Sequence, residues 1–462
     1  MIYTTLINKD NKIKDSYYKH LKLVEAYNYE KELIKVEEET YKHYLELKKY
    51  LEKKNISIEL DSCYRGIDEQ QKILDERVDK SYVALPYYSE HHSGLAIDLA
   101  IYDEGEYHYD NEYFALKEDL VNEITSVLDK FGFILRYPFG KEEIMGYPYE
   151  AWHIRYVGVV PATIIYKNKW TLEEYLEYFS GILVVNKPSG MTSREVVNDI
   201  SHLFGIKKIG HTGTLDPMAT GVLVITMGKA TKVSNLITSL DKEYVAGVLL
   251  GIKTDTLDIT GKVVDSKLIP NDLDIESCLK SFKKTYLQEV PIYSAVKIKG
   301  KKLYQYARNN KEIELPKRSV TIKEIKLLST DNDTFKFSCL VTKGCYIRSL
   351  INDIGLSLNT YATMSSLERT KQGKFKIEDS YSLEDIKNNK YKLLSIIDTL
   401  DYKKIIVDDS LLNKVNNGVE LDNIYKVNDI VLFLNKKKEL LAIYKVCDNK
   451  LRCMIGGFNN GY

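Results

Sequence analysis

At 462 residues the chain exceeds what a single hydrophobic core supports, so two or three domains are expected. Its 44% hydrophobic and 29% charged residues exclude a disordered or fibrous chain. The net charge of zero conceals an asymmetry: residues 1–179 carry 23 Lys+Arg against 34 Asp+Glu (−11), and residues 180–462 carry 43 against 32 (+11). An acidic half joined to a basic half predicts one partner that is anionic and one that is not, and nucleic acid suits the second half.

The six cysteines, at 63, 278, 339, 345, 447 and 453, show no CxxC spacing. That excludes a thiolate zinc site and a disulfide framework and suits a reducing cytoplasm. The opening MIYTTLINKDNKIKDSYYKH is polar, and no run of about 18 apolar residues occurs, so neither a signal peptide nor a membrane span is expected. The chain reads as cytoplasmic and monomeric.

Residues 30–54 place Leu33, Val36, Thr40, Tyr44, Leu47 and Leu51 three or four apart, which predicts an amphipathic helix with a charged outer face. Ile56–Leu60 alternates like a strand and leads into Ser62-Cys63-Tyr64-Arg65-Gly66, followed by a polar helix over Asp68–Glu76. Apolar residues at 116, 120, 121, 124, 127, 128 and 131 predict a second buried helix over 115–131, stopped by Gly132.

Two short segments in this half carry chemistry: Ser89-Glu-His91-His92-Ser-Gly-Leu-Ala-Ile-Asp98 and Glu150-Ala-Trp-His153. Two imidazoles and a carboxylate suit Zn²⁺ and leave a fourth position for water, as catalytic zinc requires. A second carboxylate, Glu150, is placed to shuttle the proton of that water. Residues three apart on a regular strand face opposite sides, so Glu150 and His153 share a site only if the chain bends there. S-x-H-x-x-G-x-A-x-D followed by E-x-W-H, with Tyr64-Arg65 upstream and GFILRYPFGKE at 132–142, resembles the VanY-type D-alanyl-D-alanine carboxypeptidases over about residues 1–176. The resemblance implies a zinc DD-peptidase (VanY/hedgehog-like) fold for residues 1–179. His91, Asp98 and His153 stand as its zinc ligands and Glu150 as its general base. Arg65 then polarises the scissile carbonyl or holds the substrate carboxylate, with Gln70 beside it, and the substrate is a peptide ending in D-Ala. His92 matches nothing essential. A non-catalytic binding domain and an L,D-specific carboxypeptidase remain alternatives.

No Gly/Ser or Pro spacer separates the halves. Gly181-Ile-Leu-Val-Val-Asn begins a strand and leads to Lys187-Pro188. Thr192 with Glu195 forms a capping box for a helix buried through Val196, Val197, Ile200, Leu203 and Phe204, and Gly205 ends it. Then comes GHTGTLDPMATGVL at 210–223, one acid, Asp216, set among three glycines and a proline. That is a way to hold an acid rigidly on a loop. Lys242–Val245 alternates as a strand whose hairpin partner is expected beyond Gly251, since Asp258–Gly261 is turn chemistry. Lys343–Arg348 offers Arg348 as the cation that keeps Asp216 ionised, and two-residue spacing puts Tyr346 and Arg348 on one face of a strand. Residues 293–308 interleave lysines with tyrosines, a pattern that pairs phosphate contact with base stacking.

The 210–223 loop resembles the catalytic loop of the TruB-family tRNA pseudouridine-55 synthases. That implies an α+β chain whose residues 180–400 form a mixed-sheet pseudouridine synthase domain, with a small PUA-like β tail at 401–462, acting on the tRNA T-arm without a cofactor. The reaction breaks the N1–C1′ bond of a uridine and rejoins the ring through C5. Chemically, an ionised Asp216 can attack sugar or base, or stabilise positive charge on the ribose. The resemblance makes Asp216 the nucleophile and Tyr244 its aromatic or basic partner. Tyr346 and Arg348 line the pocket, His211 takes the flipped base's place, and Leu367 walls the uracil. Lys187, Lys297, Lys301, Lys302 and Arg308 are expected RNA contacts, the last four on a thumb that closes on the T-arm. Beyond 405 a β-meander is expected, with turns at 435–438 and 448–450.

Overall fold

The computed structural model describes residues 3–76, 83–309 and 313–458. It divides into two compact units, one running through Phe179 with Asn198–Lys208, the other comprising Ser180–Val197 and Ile209 onward.

In the first unit β1 (Leu23–Tyr27) pairs antiparallel with β2 (Leu33–Glu37), and the helix follows as Glu38–Glu52. The helix expected from residue 30 therefore starts eight residues late. Leu33 and Val36 sit opposite Tyr27 and Val24, a pairing that local periodicity does not report. Glu37 then caps the helix by accepting from Thr40 N at 2.8 Å. Its buried face, Thr40, Tyr44, Leu47 and Leu51, is the one the spacing indicates.

The central sheet contains β3 (Ser57–Ser62), β4 (Ala96–Asp103), β5 (Glu106–His108), β6 (Phe133–Tyr137) and β7 (Glu150–Tyr156). Its order is β3-β4-β7-β6, with β5 beside β4 and every pair antiparallel. Ile58, Leu60, Ile97, Leu99 and Ile154 close one core with Tyr44, Leu47 and Leu51. The single helix expected over 115–131 is broken into Asn111–Leu116, Glu118–Thr125 and a 3₁₀ turn at Leu128–Phe131. The break falls at Lys117, whose backbone (φ −113°, ψ 44°) leaves the helical region while its ammonium reaches Glu104 at 2.7 Å and Asp103 at 2.9 Å. Gly132 (φ 81°) ends the last turn as expected.

The second unit is built on a nine-stranded mixed sheet. In chain order its region supplies β8 (Ser180–Lys187), β9 (Ile209–His211), β10 (Thr220–Gly228) and β11 (Lys242–Leu250). The small pair β12 (Ile252–Thr254) and β13 (Val263–Ser266) follows, then β14 (Thr285–Glu289) and the short pair β15 (Lys297–Ile298) and β16 (Lys301–Lys302). β17 (Lys317–Asp331), β18 (Thr334–Val341), β19 (Ala362–Gln372) and β20 (Phe375–Lys376) complete it. The order is β14-β17-β18-β11-β19-β10-β8, with β9 on β10 and β20 on β19; β10 and β19 run parallel. The partners of β11 are thus β18 and β19, not the strand beyond Gly251, because the Asp258–Gly261 turn joins β12 to β13. Turn chemistry locates a turn without saying which strands it serves. Helix Ile347–Ser357 lays Leu350, Ile351 and Ile354 against Ala246, Val248, Phe335 and Phe337. Helix Ser193–Phe204 starts from the expected box, Thr192 N donating to Glu195 (2.7 Å) and Glu195 N to Thr192 Oγ1 (3.1 Å).

The tail is a five-stranded sheet of β21 (Lys403–Ile406), β22 (Leu421–Asp422), β23 (Ile430–Leu434), β24 (Leu440–Cys447) and β25 (Lys450–Ile455), ordered β21-β23-β24-β25-β22. Val431, Phe433, Tyr444 and Leu451 fill its own core. Ile430, Leu432 and Ile443 share a core with Val222 and Val224 of β10, which ties the tail to the main sheet. No described helix is long and apolar enough to cross a membrane.

Two candidate active sites

In the first unit, β4 and β7 pair in a register that sets Asp98 opposite His153. His91 comes from the 3₁₀ turn Glu90–Ser93, which ends at Gly94 in the left-handed region (φ 70°), where a side chain would meet Glu37. His153 Nδ1 lies 2.9 Å from Asp98 Oδ1 and His91 Nε2 lies 3.1 Å from Asp98 Oδ2, all three residues being buried. One ligand atom from each falls within 4.8 Å of the others. His91 Nδ1 faces the Cys63 carbonyl oxygen at 2.5 Å, which turns Nε2 toward Asp98, where Arg65 Nη2 also lies 3.2 Å from it. Asp98 Oδ1 has no hydrogen-bond partner despite the nearby imidazole. Two imidazoles and a carboxylate brought this close, in the residue types that bind zinc, are a donor set that fits that metal.

The electrostatics agree. Burial, then the charge of Arg65, pushes His91 down to about 4, which favours the neutral, ligating imidazole. Burial also opposes charge on His153, but Asp98 overcomes it and raises His153 to about 9. In the metal-free protein a proton stands beside Asp98 where a cation would stand. Glu150 is raised to about 7 by burial, which outweighs the lowering influence of His153.

Glu150 Oε2 reaches to 3.6 Å from His153 Nδ1. The bend that this requires is present: β7 residues Glu150 and Ile154 pair with Tyr137 and Leu135 of β6, four residues against two, a bulge that turns Glu150 inward. Arg65 donates to Asp98 Oδ2 at 2.8 Å and to Ser62 Oγ at 3.0 Å. Gln70, expected to bind substrate, lines the cleft but spends its amide internally: Nε2 donates to Ala84 O (2.8 Å) and Oε1 accepts from Arg65 (3.4 Å). It orients Arg65 instead. His92, set aside on sequence, accepts from Tyr87 N at 3.1 Å and sets its Nδ1 2.8 Å from the Arg65 carbonyl, so it braces the same segment. Sequence reasoning missed Glu90, Arg136 and Arg155, a fully buried ionic group beneath His153. The signal for the two arginines was a charge embedded among apolar strand neighbours; Glu90, in a polar turn, gave none.

In the second unit the loop between β9 and β10 presents Asp216. Arg348 grips it with both ends of the guanidinium fork, Nε to Oδ2 at 2.9 Å and Nη2 to Oδ1 at 3.2 Å. Burial raises the Asp216 carboxyl, and Arg348 opposes that. Arg348 stands in the first turn of helix Ile347–Ser357, with Tyr346 as its N-cap; the strand expected over 346–348 is absent. The reason is Gln288, which accepts from Tyr346 N (2.8 Å) and donates to Tyr346 O (3.2 Å), pinning the helix start. Arg348 also donates to Thr256 O and Tyr293 O, and Asp258 stands 3.8 Å away.

Tyr244 and Leu367 are buried on β11 and β19 and share a cluster with Leu215, next to Asp216. His211 is partly exposed and accepts from Gly213 N at 3.3 Å. Lys187, expected to contact RNA, is buried and donates to the carbonyls of Met191 (2.6 Å), Pro188 (2.7 Å) and Pro217 (3.1 Å). Burial lowers it to about 8, and it serves as an internal brace for the loop. Two further braces were missed: Arg369, which donates to Val222 O (2.6 Å) and Gly213 O (2.9 Å), and Gln372, which donates to Thr212 O (2.9 Å). Gly221 (φ 97°) is obligatory there, since a Cβ would lie 2.3 Å from Arg369 O. Lys297, Lys301 and Arg308 are exposed and Lys302 half-buried, on the β15–β16 hairpin and the helix Leu303–Arg308. Lys302 and Arg308 both lie over the Tyr304 ring, at 5.5 and 5.4 Å.

Comparison with known proteins finds a different family for each half. Residues 201–347 match the TruB family pseudouridylate synthase N-terminal domain, and residues 348–403 the tRNA pseudouridylate synthase B C-terminal domain. Residues 33–159 match the VanY D-alanyl-D-alanine carboxypeptidase family. The tRNA pseudouridine synthase B of Caldanaerobacter subterraneus is 42% identical over 257 residues, 55% of this chain and 90% of that protein. That of Mesoplasma florum is 38% identical over 286 residues, 61% of this chain and 99% of that protein. A vancomycin-resistance D,D-pentapeptidase VanY in complex with Zn(II) is 28% identical, over 38% of this chain and 99% of that one, with a TM-score of 0.32. This chain belongs to the TruB family of pseudouridine synthases and carries, fused ahead of that part, a VanY-type D-alanyl-D-alanine carboxypeptidase domain.

Proposed function

We propose that the second unit isomerises uridine-55 in the T-arm of tRNA, with Asp216 acting on the reacting nucleotide. The observation that carries this reading is the Asp216–Arg348 pair, a carboxylate held by a two-point guanidinium on a clamped loop. Such an anion meets the developing charge of glycosidic cleavage without reorganising. Tyr244 stacks on the extruded base and Leu367 walls it; Tyr346 lines the same pocket and His211 fills the gap left in the RNA stack. Lys297 and Lys302 face one another across the β15–β16 hairpin. Like charges directly opposed destabilise a hairpin, so an anionic ligand is their natural relief. With Lys301 and Arg308 they supply the phosphate contacts. The unit needs no cofactor. A T-arm transcript incubated with the full chain gains pseudouridine at position 55 and at no other uridine; modification elsewhere, or none, rejects the assignment.

The first unit, on this reading, removes a terminal D-Ala from a peptide, and what favours it is the convergence of His91, Asp98 and His153. Those three residues would hold zinc, which supplies an acidified water and a polarised carbonyl when bound. Glu150 takes the proton of the attacking water and returns it to the leaving amine, a role that a carboxyl near 7 suits at neutral pH. Arg65 holds the substrate carboxylate or the scissile carbonyl, oriented by Gln70. Mass spectrometry of an acyl-D-Ala-D-Ala peptide and its L-Lys-D-Ala counterpart decides between D,D and L,D cleavage, and intact peptides in the presence of zinc reject catalysis altogether. The domains run 1–179, 180–400 and 401–462. Both activities reside in one cytoplasmic chain, so fractionated cells probed for each half show a single soluble band near 53.3 kDa; two shorter products reject the joint reading.

A further inference from the structure

Beneath His153 lies a carboxylate that the reaction above does not use. Glu90 is fully buried, and its Oε1 is claimed by two guanidinium groups, Arg136 Nε at 2.8 Å and Arg155 Nη1 at 2.9 Å. Both arginines are buried as well and are anchored elsewhere. Arg136 pairs with Glu173 at 2.7 Å, and Arg155 donates to the Tyr3 and Thr5 carbonyls at 3.0 Å. The other oxygen, Oε2, is buried without a hydrogen-bond partner. It faces His153 Nε2 across 3.9 Å, and that nitrogen is also buried and without a partner. Two orphaned polar atoms this close, in a dry interior, are costly unless one state of the protein joins them. The Tyr137 ring, 4.9 Å from the imidazole, limits how His153 can turn.

We propose that Glu90 is a positioning residue for the metal centre, accepting a hydrogen bond from His153 Nε2–H and so committing Nδ1 to the metal. Arg136 and Arg155 hold Oε1 and leave Oε2 as the acceptor. Ring flip or the opposite tautomer would place a proton where the metal must bind. Glu90 therefore sets the tautomer of His153 as the Cys63 carbonyl sets that of His91. This rests on the zinc reading of the site.

The test uses the full chain and zinc alone. Competition titration against a chromophoric chelator should show Glu90→Gln binding zinc about 10- to 100-fold more weakly than the wild type, the range found when a partner behind a metal-bound histidine is removed. Near-ultraviolet circular dichroism shows whether the variant remains folded. Should it unfold, a crystal structure of the zinc-loaded wild type decides, with His153 expected to bind through Nδ1 and its Nε2 within hydrogen-bond distance of Glu90 Oε2. Coordination through Nε2, or a folded Glu90→Gln chain with wild-type zinc affinity, overturns the proposal and leaves the zinc reading standing. A wild-type chain that takes up no zinc overturns both.

Discussion

Each half of this chain presents an acid at its candidate site, and the two acids are held in opposite ways. Asp216 sits on a loop between strands and is gripped at two oxygens by Arg348. Glu150 sits on a strand, turned inward by a bulge, and its nearest charged neighbour is an imidazole at 3.6 Å. Burial raises both carboxyls; at Asp216 the Arg348 guanidinium is the strongest influence opposing it, whereas at Glu150 His153 opposes it first and Arg65 less. On the reading proposed above, Asp216 serves as the anion for a reaction that develops positive charge, and Glu150, raised to about 7, serves to pass protons. Environment rather than residue type divides the roles.

The sharpest way to break this comparison is to remove each acid's charge while keeping its shape. Asp216→Asn should lower pseudouridine formation by more than about 10³-fold, the scale of losing a group that acts on the reacting atoms. Zinc content and peptide cleavage should be unchanged, as measured on the same preparation. A variant that still modifies RNA at a tenth of the wild-type rate would remove Asp216 from the chemistry. Glu150→Gln should cost peptide cleavage about 10²- to 10⁴-fold, the range for a general base, with zinc retained. Loss of zinc together with activity would make Glu150 a ligand instead.

The pH profile tests the same contrast. A carboxyl raised to about 7 is protonated and inert as a base below that pH and active above it. The cleavage rate in kcat/KM should therefore show an acid limb that climbs roughly tenfold per pH unit and then levels off. In the metal-loaded protein the limb moves to lower pH, because a nearby cation favours the carboxylate. A Glu150→Gln variant whose residual cleavage keeps the acid limb of the zinc-loaded wild type would deny Glu150 the base role. Arg348→Lys should come next, lowering pseudouridine formation by about 10²-fold, since lysine keeps the charge but cannot make the two-point contact.

How much of this was legible in the sequence depends on how far apart the cooperating residues lie. The Asp216 loop is contiguous, so GHTGTLDPMATGVL announces an acid on a rigid turn. The candidate metal donors lie in two short segments, and their residue types suffice to join them. What the sequence hid was pairing. Leu33 and Val36 fit a helix by spacing, yet they pair with β1. Tyr346 and Arg348 fit a strand, yet Leu350, Ile351 and Ile354 continue a helical stripe from Ile347 that the two-residue spacing obscured. Glu90 lies 46 residues from Arg136, and nothing local to either tells that they meet. Lysines mislead most readily: Lys187 and Lys301 look alike in sequence, but one is buried among carbonyls and the other is exposed.

That distinction carries the smallest expected effect. Lys187 ties two carbonyls of the 188–191 turn to the Pro217 carbonyl of the catalytic loop, and burial depresses it to about 8. A depressed lysine costs folding energy while the buried amine is charged, and that cost is relieved as pH rises from about 8 toward the unfolded value near 10.5. Lys187→Met removes both the cost and the three contacts. Each charge-assisted bond contributes about 1.5–3 kcal/mol, and orphaned buried carbonyls add to the loss, so the contacts should outweigh the relief. We expect lower thermal stability of the second unit at pH 7, a deficit that grows between pH 8 and 10 as the wild type gains stability from relief of its buried charge. Pseudouridine formation should fall through kcat, because the loop that carries Asp216 loosens, while tRNA affinity stays within about twofold because a buried amine touches no phosphate. A large loss of affinity with a shallower salt dependence would return Lys187 to the RNA interface.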